Sequence, residues 1–369
     1  MSGRHLVFLV SHSSAGGAQE IWANLAEGFA ARGHRVQLMA LYPLRATVRT
    51  TAEGLGWRYV LPRRPRGPVG AVRLIAALAR IIRRERPDVV FTAMPAANVA
   101  AALAARLAGV PTRVVTSHHS PLDTHNGLLD VADGVTGSLS SVRSVVSVSE
   151  AVAASMGAKP LRYRAKGRTI ANALPPRIER LLAELAERRH PRAAHGRTVV
   201  ATGRLAAQKN YPLLIRAAAL MPDVLVRIVG NGPDEEALRR LAAEQGVADR
   251  VEFLGHRPRE EALAVLAAGD VFVQASLFEG HSLGLIEAAK LGLPLVVSNV
   301  PVQLEGITAA DGERCGLTVG VDDPAGLAAH VAALLDDPTT YALWAGRARK
   351  LGAEATYQAM MDAYEELAA

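Results

Sequence analysis

Short apolar runs alternate with longer segments of helical spacing along the whole chain, and this alternation leaves few folds open. In the first half the apolar runs lie at residues 5–10, 35–41, 88–94, 113–118 and 144–149. They are apolar at nearly every position instead of every second one, which is typical of parallel strands buried on both faces. Strands that alternate with helices predict an open, doubly wound α/β sheet.

The alternation is interrupted once, by the proline-rich and highly charged segment 175–197, and then resumes. The second set of apolar runs lies at 198–204, 224–230, 250–255, 270–276 and 294–299. Because 369 residues are too many for one ordinary domain, the repeat of the pattern predicts two Rossmann-like domains.

We place the first domain at 1–180, a linker at 181–197 and the second domain at 198–352. A C-terminal helix at about 353–369 is expected to pack back on the first domain. In open α/β sheets, ligands bind beyond the carboxyl ends of the strands. Two such sheets facing across a cleft would each hold one substrate.

Composition narrows the class of protein further. The single cysteine, Cys315, excludes an internal disulfide framework and fits a reducing cytoplasm. The apolar run Leu6–Val10 is too short for a signal peptide, and no run approaches the roughly 18 apolar residues of a membrane helix. We therefore expect a soluble, cytoplasmic protein. The Ala- and Arg-rich composition is typical of a bacterium with GC-rich DNA.

The net charge of +7 and the pI of about 9.8 favour anionic partners, although arginine-rich codon usage alone gives the same balance. Nucleic-acid binding is the remote alternative, because aromatic residues are only 4% and no helix-turn-helix or RRM pattern occurs. Arg80, Arg83 and Arg84 share one face of a helical segment, with apolar residues at 78, 81 and 82 nearby. They indicate either peripheral contact with an anionic inner leaflet or a solvated arginine face.

Two cations follow the strand predicted at 198–204. In GRLAAQKN, Gly203 to Asn210, Arg204 and Lys209 come directly before a predicted helix. Arginine can bind two phosphate oxygens at once, lysine adds a point charge, and the N-terminus of a helix attracts anions. The stretch predicts a diphosphate site, with two solvated surface cations as the alternative.

Two glycines, Gly230 and Gly232, flank Asn231 at the end of another predicted strand, in VGNGPDEEAL. Pro233 and the acids after it are ordinary signals for the start of a helix. Glycine allows the backbone to approach a ligand closely. A G-x-G spacing alone is more often a simple tight turn.

Two carboxylates, Glu279 and Glu287, frame the segment FEGHSLGLIE. Glu287 would lie about one turn inside a helix, within reach of a hydroxylated group such as a ribose. The alternatives are a turn acid at Glu279 and a surface acid at Glu287 beside Lys290.

The residues between these carboxylates predict the start of that helix. Ser282 is a good N-cap. The N–H groups of Ser282, Leu283 and Gly284 have no partner within a helix and would form a seat for an anion.

Together, these motifs resemble the signatures of the retaining GT-B glycosyltransferases of family 4, the glycosyl transferases group 1. The usual forms are GRL-x-x-x-K, G-x-G-P-x-x-x-x-L and EGFGLPxxEA, and all three have counterparts here in that order within 198–336. The resemblance continues more weakly through the first domain. It implies a GT-B fold, with two Rossmann-like domains facing across a cleft, and transfer of a sugar from a nucleotide-diphospho-sugar.

The resemblance also implies a role for each matching residue of the second domain. Arg204 and Lys209 would hold the diphosphate and stabilise the leaving group, Glu279 would contact the donor sugar, and Glu287 would hold the ribose. The other implied donor-binding positions are Gly203, Gly230, Gly255, His256, Arg257, His281, Ser282, Leu283 and Gly284. His281, Ser282 and Gly284 replace the usual Phe, Gly and Pro, which leaves the identity of the sugar open.

Two segments of the first domain match the family as well. SHSSAGGAQE (11–20) resembles its glycine-rich loop, where Gly16 and Gly17 would let the backbone approach the donor phosphate and the acceptor. RVVTSHHSP (113–121) resembles its strand-end histidine, which would place His118 near the donor sugar. The pair His118–His119 could instead bind a metal, but further ligands and an Asp-x-Asp are missing nearby, so we expect no metal.

The family further implies front-face attack, in which the departing diphosphate helps to take the acceptor proton, without a cofactor. UDP-sugar is the favoured donor and GDP-mannose the second choice. The acceptor would be a glycan, a lipid-linked or a small-molecule hydroxyl, in envelope polysaccharide or glycoconjugate biosynthesis. The alternative is a non-catalytic or epimerase-type nucleotide-sugar-binding protein of the same fold.

Overall fold

The computed structural model describes residues 3–14, 16–44, 55–189 and 197–369. Part of the predicted linker, 190–196, lies outside the described residues. The chain divides into two compact units. The first unit consists of Met1–Asn172 together with Gln358–Ala369, and the second unit of Ala173–Tyr357.

The described part of the first unit contains seven parallel strands: β1 (His5–His12), β2 (Arg35–Tyr42), β3 (Trp57–Tyr59), β4 (Val89–Ala93), β5 (Arg113–His118), β6 (Val142–Ser147) and β7 (Gly167–Thr169). Its first six helices are α1 (Gly17–Ala31), α2 (Gly67–Glu85), α3 (Pro95–Ala108), α4 (Gly127–Gly137), α5 (Glu150–Ser155) and α6 (Leu161–Arg164).

The sheet order of this unit is β3-β2-β1-β4-β5-β6-β7, so the chain reverses direction across the sheet between β1 and β4. Such a reversal opens a crevice at the carboxyl ends of the strands. Seven of the eight β1 residues are buried, as expected for a strand covered by helices on both faces.

The second unit has six parallel strands among its described residues: β8 (Thr198–Thr202), β9 (Leu225–Val229), β10 (Val251–Phe253), β11 (Val271–Gln274), β12 (Leu295–Ser298) and β13 (Leu317–Val319). Its helices are α7 (Pro176–Arg188), α8 (Tyr211–Ala219), α9 (Glu235–Glu244), α10 (Arg259–Ala267), α11 (Leu283–Lys290), α12 (Pro301–Gly306), α13 (Pro324–Asp336) and α14 (Pro338–Glu354). The sheet order is β10-β9-β8-β11-β12-β13, with the reversal between β8 and β11.

The doubly wound α/β fold predicted from the apolar runs is therefore present twice. Each of the ten predicted runs contains a strand. The strands β3, β7 and β13 were missed: each is a three-residue edge strand, and at least two of its residues are exposed or half-exposed, as in β10, which was predicted. Edge strands of this kind carry no continuous apolar run.

The second unit begins at Ala173, earlier than the predicted 198. The helix α7 is the reason, because its residues Ile178 and Leu182 are buried in the same apolar cluster as Leu263 and Phe272. Prolines and charges indicated a linker here. The spacing of the apolar side chains instead packs the helix into the hydrophobic core of the second unit.

The predicted C-terminal helix at about 353–369 is present, but it begins later than predicted. Gly352, the predicted end of the second domain, lies inside α14, and the last helix, α15, covers Tyr357–Ala368. A Cβ at Gly352 would lie 2.7 Å from the backbone nitrogen of Lys290, so this glycine allows α14 to pack closely on α11. Within the first unit, α15 places Tyr364 against Trp22 and pairs Glu365 with Arg32.

None of the helices in the described ranges combines the length and the apolar character that crossing a membrane requires.

Candidate active site

The main predicted site residues of the second unit meet at the reversal point of its sheet. β8 and β11 pair in parallel, so their carboxyl ends lie side by side. The loop after β8 carries Arg204 and Lys209, and the loop after β11 carries Glu279. Two hydrogen bonds join these loops: Leu277 N donates to Gln208 O at 2.8 Å, and Gln208 Nε2 donates to Phe278 O at 3.0 Å.

Lys209 and Glu279 are in direct contact. The Lys209 Nζ donates to Glu279 Oε1 at 2.6 Å, and Ser276 Oγ donates to the same oxygen at 2.7 Å. Glu279 is only 8% exposed, so the pair is shielded from water on the carboxylate side. An ammonium group has three donors, and this contact uses one. Glu279 therefore holds the Lys209 ammonium at the strand ends, and the other N–H groups of the ammonium remain available to an anion.

The lysine reaches this position because Gly203 has no side chain. A Cβ at Gly203 would lie 2.6 Å from Lys209 Cε, and the residue has a φ of +140°. Ser276 was missed from the sequence, since a serine after a strand carries no signal of a carboxylate partner.

Arg204 differs from Lys209 in having no fixed partner. Its side chain is exposed, and no carboxylate among the described residues forms an ion pair with it. A guanidinium that follows β8 without a counter-ion is available to an anion at the same strand ends.

The glycines at the strand ends are required by the chain's own packing. A Cβ at Gly230 would lie 1.9 Å from Gly203 O, and a Cβ at Gly232 would lie 2.1 Å from Leu205 O. Gly230 N also donates to Gly255 O at 2.9 Å. The loops after β8, β9 and β10 are thus stacked backbone against backbone, which a G-x-G spacing alone did not indicate.

The loop after β10 ends in exposed side chains. His256 and Arg257 both lie at the surface directly after Gly255. Arg257 Nε donates to Leu254 O at 3.0 Å, so its side chain turns back on its own loop. The structure therefore places these two residues beside the Gly230 loop, at the same edge of the sheet.

The predicted cap of α11 is confirmed. Ser282 Oγ accepts from Leu285 N at 3.4 Å and donates to Gln274 Oε1 at 2.7 Å. Gly284, in place of the usual proline, brings the first turn of α11 against β8, since a Cβ there would lie 2.6 Å from Thr202 Oγ1. The first-turn backbone, including Leu283, thus sits at the strand ends, with the half-buried His281 just before it.

Glu287 is a buried acid, 6% exposed, and it forms an ion pair with Arg259, the first residue of α10. The alternative of a surface acid beside Lys290 is wrong, since Glu287 is buried and Lys290 pairs with Glu179 at 3.0 Å. Arg259 was missed from the sequence because it lies 28 positions away, at the start of another helix. The pair fixes the direction of the Glu287 carboxylate.

In the first unit, Gly16 and Gly17 open α1 at the reversal point between β1 and β4. Both are exposed, and a Cβ at Gly17 would meet no atom of the described residues within 4 Å. At Gly16, the end of the Gln19 side chain lies 2.7 Å from that position. Gln19 is buried, and its Nε2 lies 3.2 Å from His12 Nδ1.

His118 ends β5 and is 1% exposed. Its Nε2 lies 2.8 Å from Tyr163 Oη, and Tyr163 Oη donates to Asp133 Oδ2 at 2.7 Å. Burial, followed by the charges of His125 and Lys159, lowers the pKa of His118 to about 3. The ring is neutral at pH 7, so its 3.6 Å approach to Asp133 is not an ion pair.

These contacts assign the tautomer of His118. A carboxylate only accepts hydrogen bonds, so the one proton of Tyr163 goes to Asp133, whose charge is supported by Lys159 at 3.8 Å. The tyrosine oxygen then accepts from His118 Nε2–H, and in this tautomer Nε2 cannot also accept from Asn98 Nδ2, which lies 3.3 Å away. Nδ1 of His118 is left as a buried acceptor without a partner among the described residues.

Replacing Tyr163 with phenylalanine tests this assignment. We expect a loss of about 1–3 kcal/mol in unfolding free energy, because buried polar atoms of His118 and Asp133 lose their partner. Tyr59→Phe is the matched control: Tyr59 is 38% exposed and bonds to Ser13 at 3.3 Å, so the change should stay within about 0.5 kcal/mol. Urea unfolding measures both. Nitrogen-15 NMR of the unmodified protein should show the Nε2–H tautomer, and an Nδ1–H tautomer would contradict the assignment.

No group of three His, Cys, Asp or Glu side chains suited to holding a metal ion occurs within residues 3–14, 16–44, 55–189 and 197–369.

Known proteins match both units. The family model described as "Glycosyl transferase 4-like domain" matches residues 16–173, and the model "Glycosyl transferases group 1" matches residues 184–351. The lipopolysaccharide core biosynthesis glycosyltransferase LpsD of Rhizobium meliloti is 32% identical over 170 residues, which are 46% of this chain and 48% of that protein. The chain spans between 28% and 49% of the length of the curated relatives that we compared with it.

Solved structures match over nearly the whole chain. The structure of Anabaena Alr3699/HepE in complex with UDP and glucose has a TM-score of 0.79 at 18% identity, over 99% of this chain and 100% of that one. Sucrose-phosphate synthase from Thermosynechococcus elongatus has a TM-score of 0.80 at 20% identity, over 99% and 98%. At these sequence identities, the structural similarity shows that this chain has the same fold as those proteins. Together with the two family models, it shows that the chain belongs to the GT-B glycosyltransferases of the group 1, family 4 type.

Proposed function

We propose that this protein transfers a sugar from a nucleotide-diphospho-sugar to an acceptor hydroxyl. The observation that supports this most is the partly buried Lys209–Glu279 pair at the reversal point of the second sheet, beside the first turn of α11 and Arg204, which pairs with no carboxylate of the described residues. Two cations and helix N–H groups stabilise the negative charge of a departing diphosphate. The adjacent Glu279 carboxylate is suited to accept hydrogen bonds from sugar hydroxyls.

The donor is a UDP-sugar in this proposal, with GDP-mannose as the second choice. A solved structure with the same fold holds UDP and glucose, which favours uridine. Glu287, directed by Arg259, would accept from ribose hydroxyls, and the backbone at Gly255 with His256 and Arg257 would meet the base. In the first unit, the open backbone at Gly17 would serve the phosphate, and His118 at the end of β5 would lie near the donor sugar.

A thermal-shift comparison of UDP-, GDP-, ADP- and dTDP-sugars tests the donor. At about 100 times its Kd, the true donor should raise the melting temperature by on the order of 5 °C or more. A shift with GDP-mannose alone would replace uridine in the proposal, and no shift with any nucleotide sugar would contradict donor binding. A transfer assay then separates a transferase from a non-catalytic or epimerase-type binder.

The finer features of the reaction belong to the same proposal. Transfer proceeds with retention at the anomeric carbon and without a metal, to a glycan, lipid-linked or small-molecule hydroxyl in envelope polysaccharide or glycoconjugate biosynthesis. A relative in lipopolysaccharide core biosynthesis supports that setting. Product analysis by NMR, with EDTA present, decides between retention and inversion and shows whether a metal is needed.

Contact with an anionic inner leaflet through Arg80, Arg83 and Arg84 is a separate proposal. The apolar residues near these arginines do not support it. Leu78 and Ile82 are 1% and 2% exposed, because they lie on the face of α2 that packs in the core. Arg83 donates to the last carbonyls of α3, at 107 and 108.

What remains in favour of leaflet contact is charge. The first unit contains 22 Lys and Arg against 12 Asp and Glu, a net +10, whereas the second unit contains 20 against 23, a net −3. A cytoplasmic protein that binds the membrane in this way should co-sediment with anionic liposomes at low salt and lose binding in Arg80→Gln/Arg84→Gln. No binding to either neutral or anionic liposomes would remove the proposal.

A further inference from the structure

The first unit contains a cavity of about 270 Å³ at the edge of its sheet that the proposed transfer reaction does not use. It lies against β6 and the edge strand β7, beneath the short helices α5 and α6. Helices of six and four residues are too short to cover the sheet edge. Gly157 and Gly167 face the space without a side chain to fill it.

The inner wall of this β6–β7 cavity is mostly apolar, and the two hydroxyl side chains that line it, Ser147 and Thr169, bond each other at 3.1 Å. Val145, Met156 and the ring of Tyr163 line it, and each is at most 6% exposed. The half-buried Ala153 contributes a methyl group from α5. Hydroxylated ligands such as sugars would leave their hydrogen-bonding groups unpaired against these side chains, at a cost of about 1–3 kcal/mol for each group. The wall therefore selects an apolar chain.

Two arginines, Arg164 and Arg168, also line the same cavity. Both residues are exposed, and neither forms an ion pair with a carboxylate in the part of the chain that the structure describes. Arg168 Nη1 donates only to the neighbouring Gly167 O, at 2.8 Å.

The surrounding sequence is one-sided in charge. Residues 151–172 contain five Lys and Arg and no Asp or Glu. Lys159 and Lys166 are used within the fold, by Asp130 and by the carbonyls of Gly137 and Leu139. The arginines at the cavity are left for an external anion, and arginine binds phosphate oxygens in pairs.

We propose that the β6–β7 cavity binds a single-chain amphiphile with an anionic phosphate head, its apolar chain inside and its phosphate on Arg164 and Arg168. The size of the cavity limits the ligand to one chain. At about 30 Å³ for each water-sized group, it holds on the order of nine such groups. Two long chains of a bilayer lipid exceed this room. The cavity shares no residue with the predicted donor site, and Tyr163 in its wall contacts His118 of that site through its hydroxyl.

Titration of the full chain with decyl phosphate, below its micelle concentration, tests the site by calorimetry. We expect saturable binding with one ligand per chain. Inorganic phosphate and decyltrimethylammonium, which each lack one half of the amphiphile, should bind at least about 10-fold more weakly, because the apolar chain and the charged head both contribute.

Variants separate the two halves of the site. Ala153→Trp fills the cavity and should lower the affinity for decyl phosphate at least about 10-fold, while Ala154→Trp, on the exposed side of the same helix, should not. Arg164→Gln/Arg168→Gln should lower it between about 10- and 100-fold. The matched control is Arg73→Gln/Arg106→Gln, two exposed arginines on α2 and α3. Circular dichroism confirms that each variant is folded.

Several results would overturn the proposal: no saturable binding of decyl phosphate, equal affinity for decyltrimethylammonium, or equal weakening by Ala153→Trp and Ala154→Trp. Binding to phosphatidylglycerol vesicles that Ala153→Trp leaves unchanged, without binding of decyl phosphate, would assign the arginines to a membrane surface instead. Because UDP-sugar binding is measured separately by thermal shift, failure of the donor assignment leaves this test intact.

Discussion

Lys209→Ala should lower the rate of sugar transfer by about 10²–10³-fold, the usual effect of removing one preorganised charge from a transition state. The lysine ammonium is held 2.6 Å from Glu279 at the strand ends, and it would face the departing diphosphate without first having to reorganise. Arg204→Ala should cause a loss of similar size, since the exposed guanidinium would carry the second positive charge. Both losses should appear in kcat, because the charge on the diphosphate grows as the sugar bond breaks.

Lys290→Ala is the control for Lys209→Ala, since Lys290 forms an ion pair with Glu179 in the same unit and lies outside the proposed site. It should keep near wild-type turnover. Removing Lys209 also leaves the Glu279 carboxylate without its cation and with the Ser276 hydroxyl as a hydrogen-bond donor, so melting temperatures are needed for each variant. Lys209→Ala/Glu279→Gln removes that unpaired charge and should still be slow. Near wild-type transfer by Lys209→Ala would refute its role in catalysis.

Gly230→Ala should destabilise the second unit by about 3 kcal/mol or more, without touching a charged group. Its φ of +144° disfavours any side chain, and a Cβ there would lie 1.9 Å from Gly203 O, a backbone atom that cannot turn aside. The loop after β8 would have to move, and it carries Arg204 and Lys209. We expect the melting transition of this unit to fall by on the order of 6–12 °C.

Gly246→Ala is the matched control for Gly230→Ala. Gly246 also has a positive φ, +66°, but a Cβ there would meet no atom of the described residues within 4 Å. It should cost only the strain of the left-handed conformation, about 1–2 kcal/mol. Differential scanning calorimetry measures both variants. Gly246→Ala adds backbone strain alone, whereas Gly230→Ala adds backbone strain and a steric clash with Gly203 O. Equal shifts would contradict the stacked-loop explanation.

Local sequence patterns predicted much of the fold because strand burial and helix capping depend on residues that are neighbours in sequence. A continuous apolar run marks a strand covered on both faces, so all ten predicted runs contain strands. Ser282 as a cap was predictable because a cap and its helix are neighbours in sequence. Helix α7 is a case where local patterns misled the prediction. Its prolines and charges indicated a linker, but Ile178 and Leu182 are one helical turn apart and are buried on the same face of the helix.

The partners of the site residues were not predictable in the same way. Ser276 and Arg259 carry no local signal, and each matters through a carboxylate in contact with it. The reason for Gly230 also changed, from closeness to a ligand to closeness to another loop of the protein.

The sequence by itself determined two doubly wound α/β domains and the strand ends at which the charged motifs lie, because apolar periodicity and capping act over a few residues. Only the tertiary structure decided which side chains meet. Lys209 and Glu279 are 70 positions apart, Arg259 and Glu287 are 28 apart, and His118 and Tyr163 are 45 apart. Strand order brings together the segments that carry these residues, and strand order depends on the packing of the whole unit.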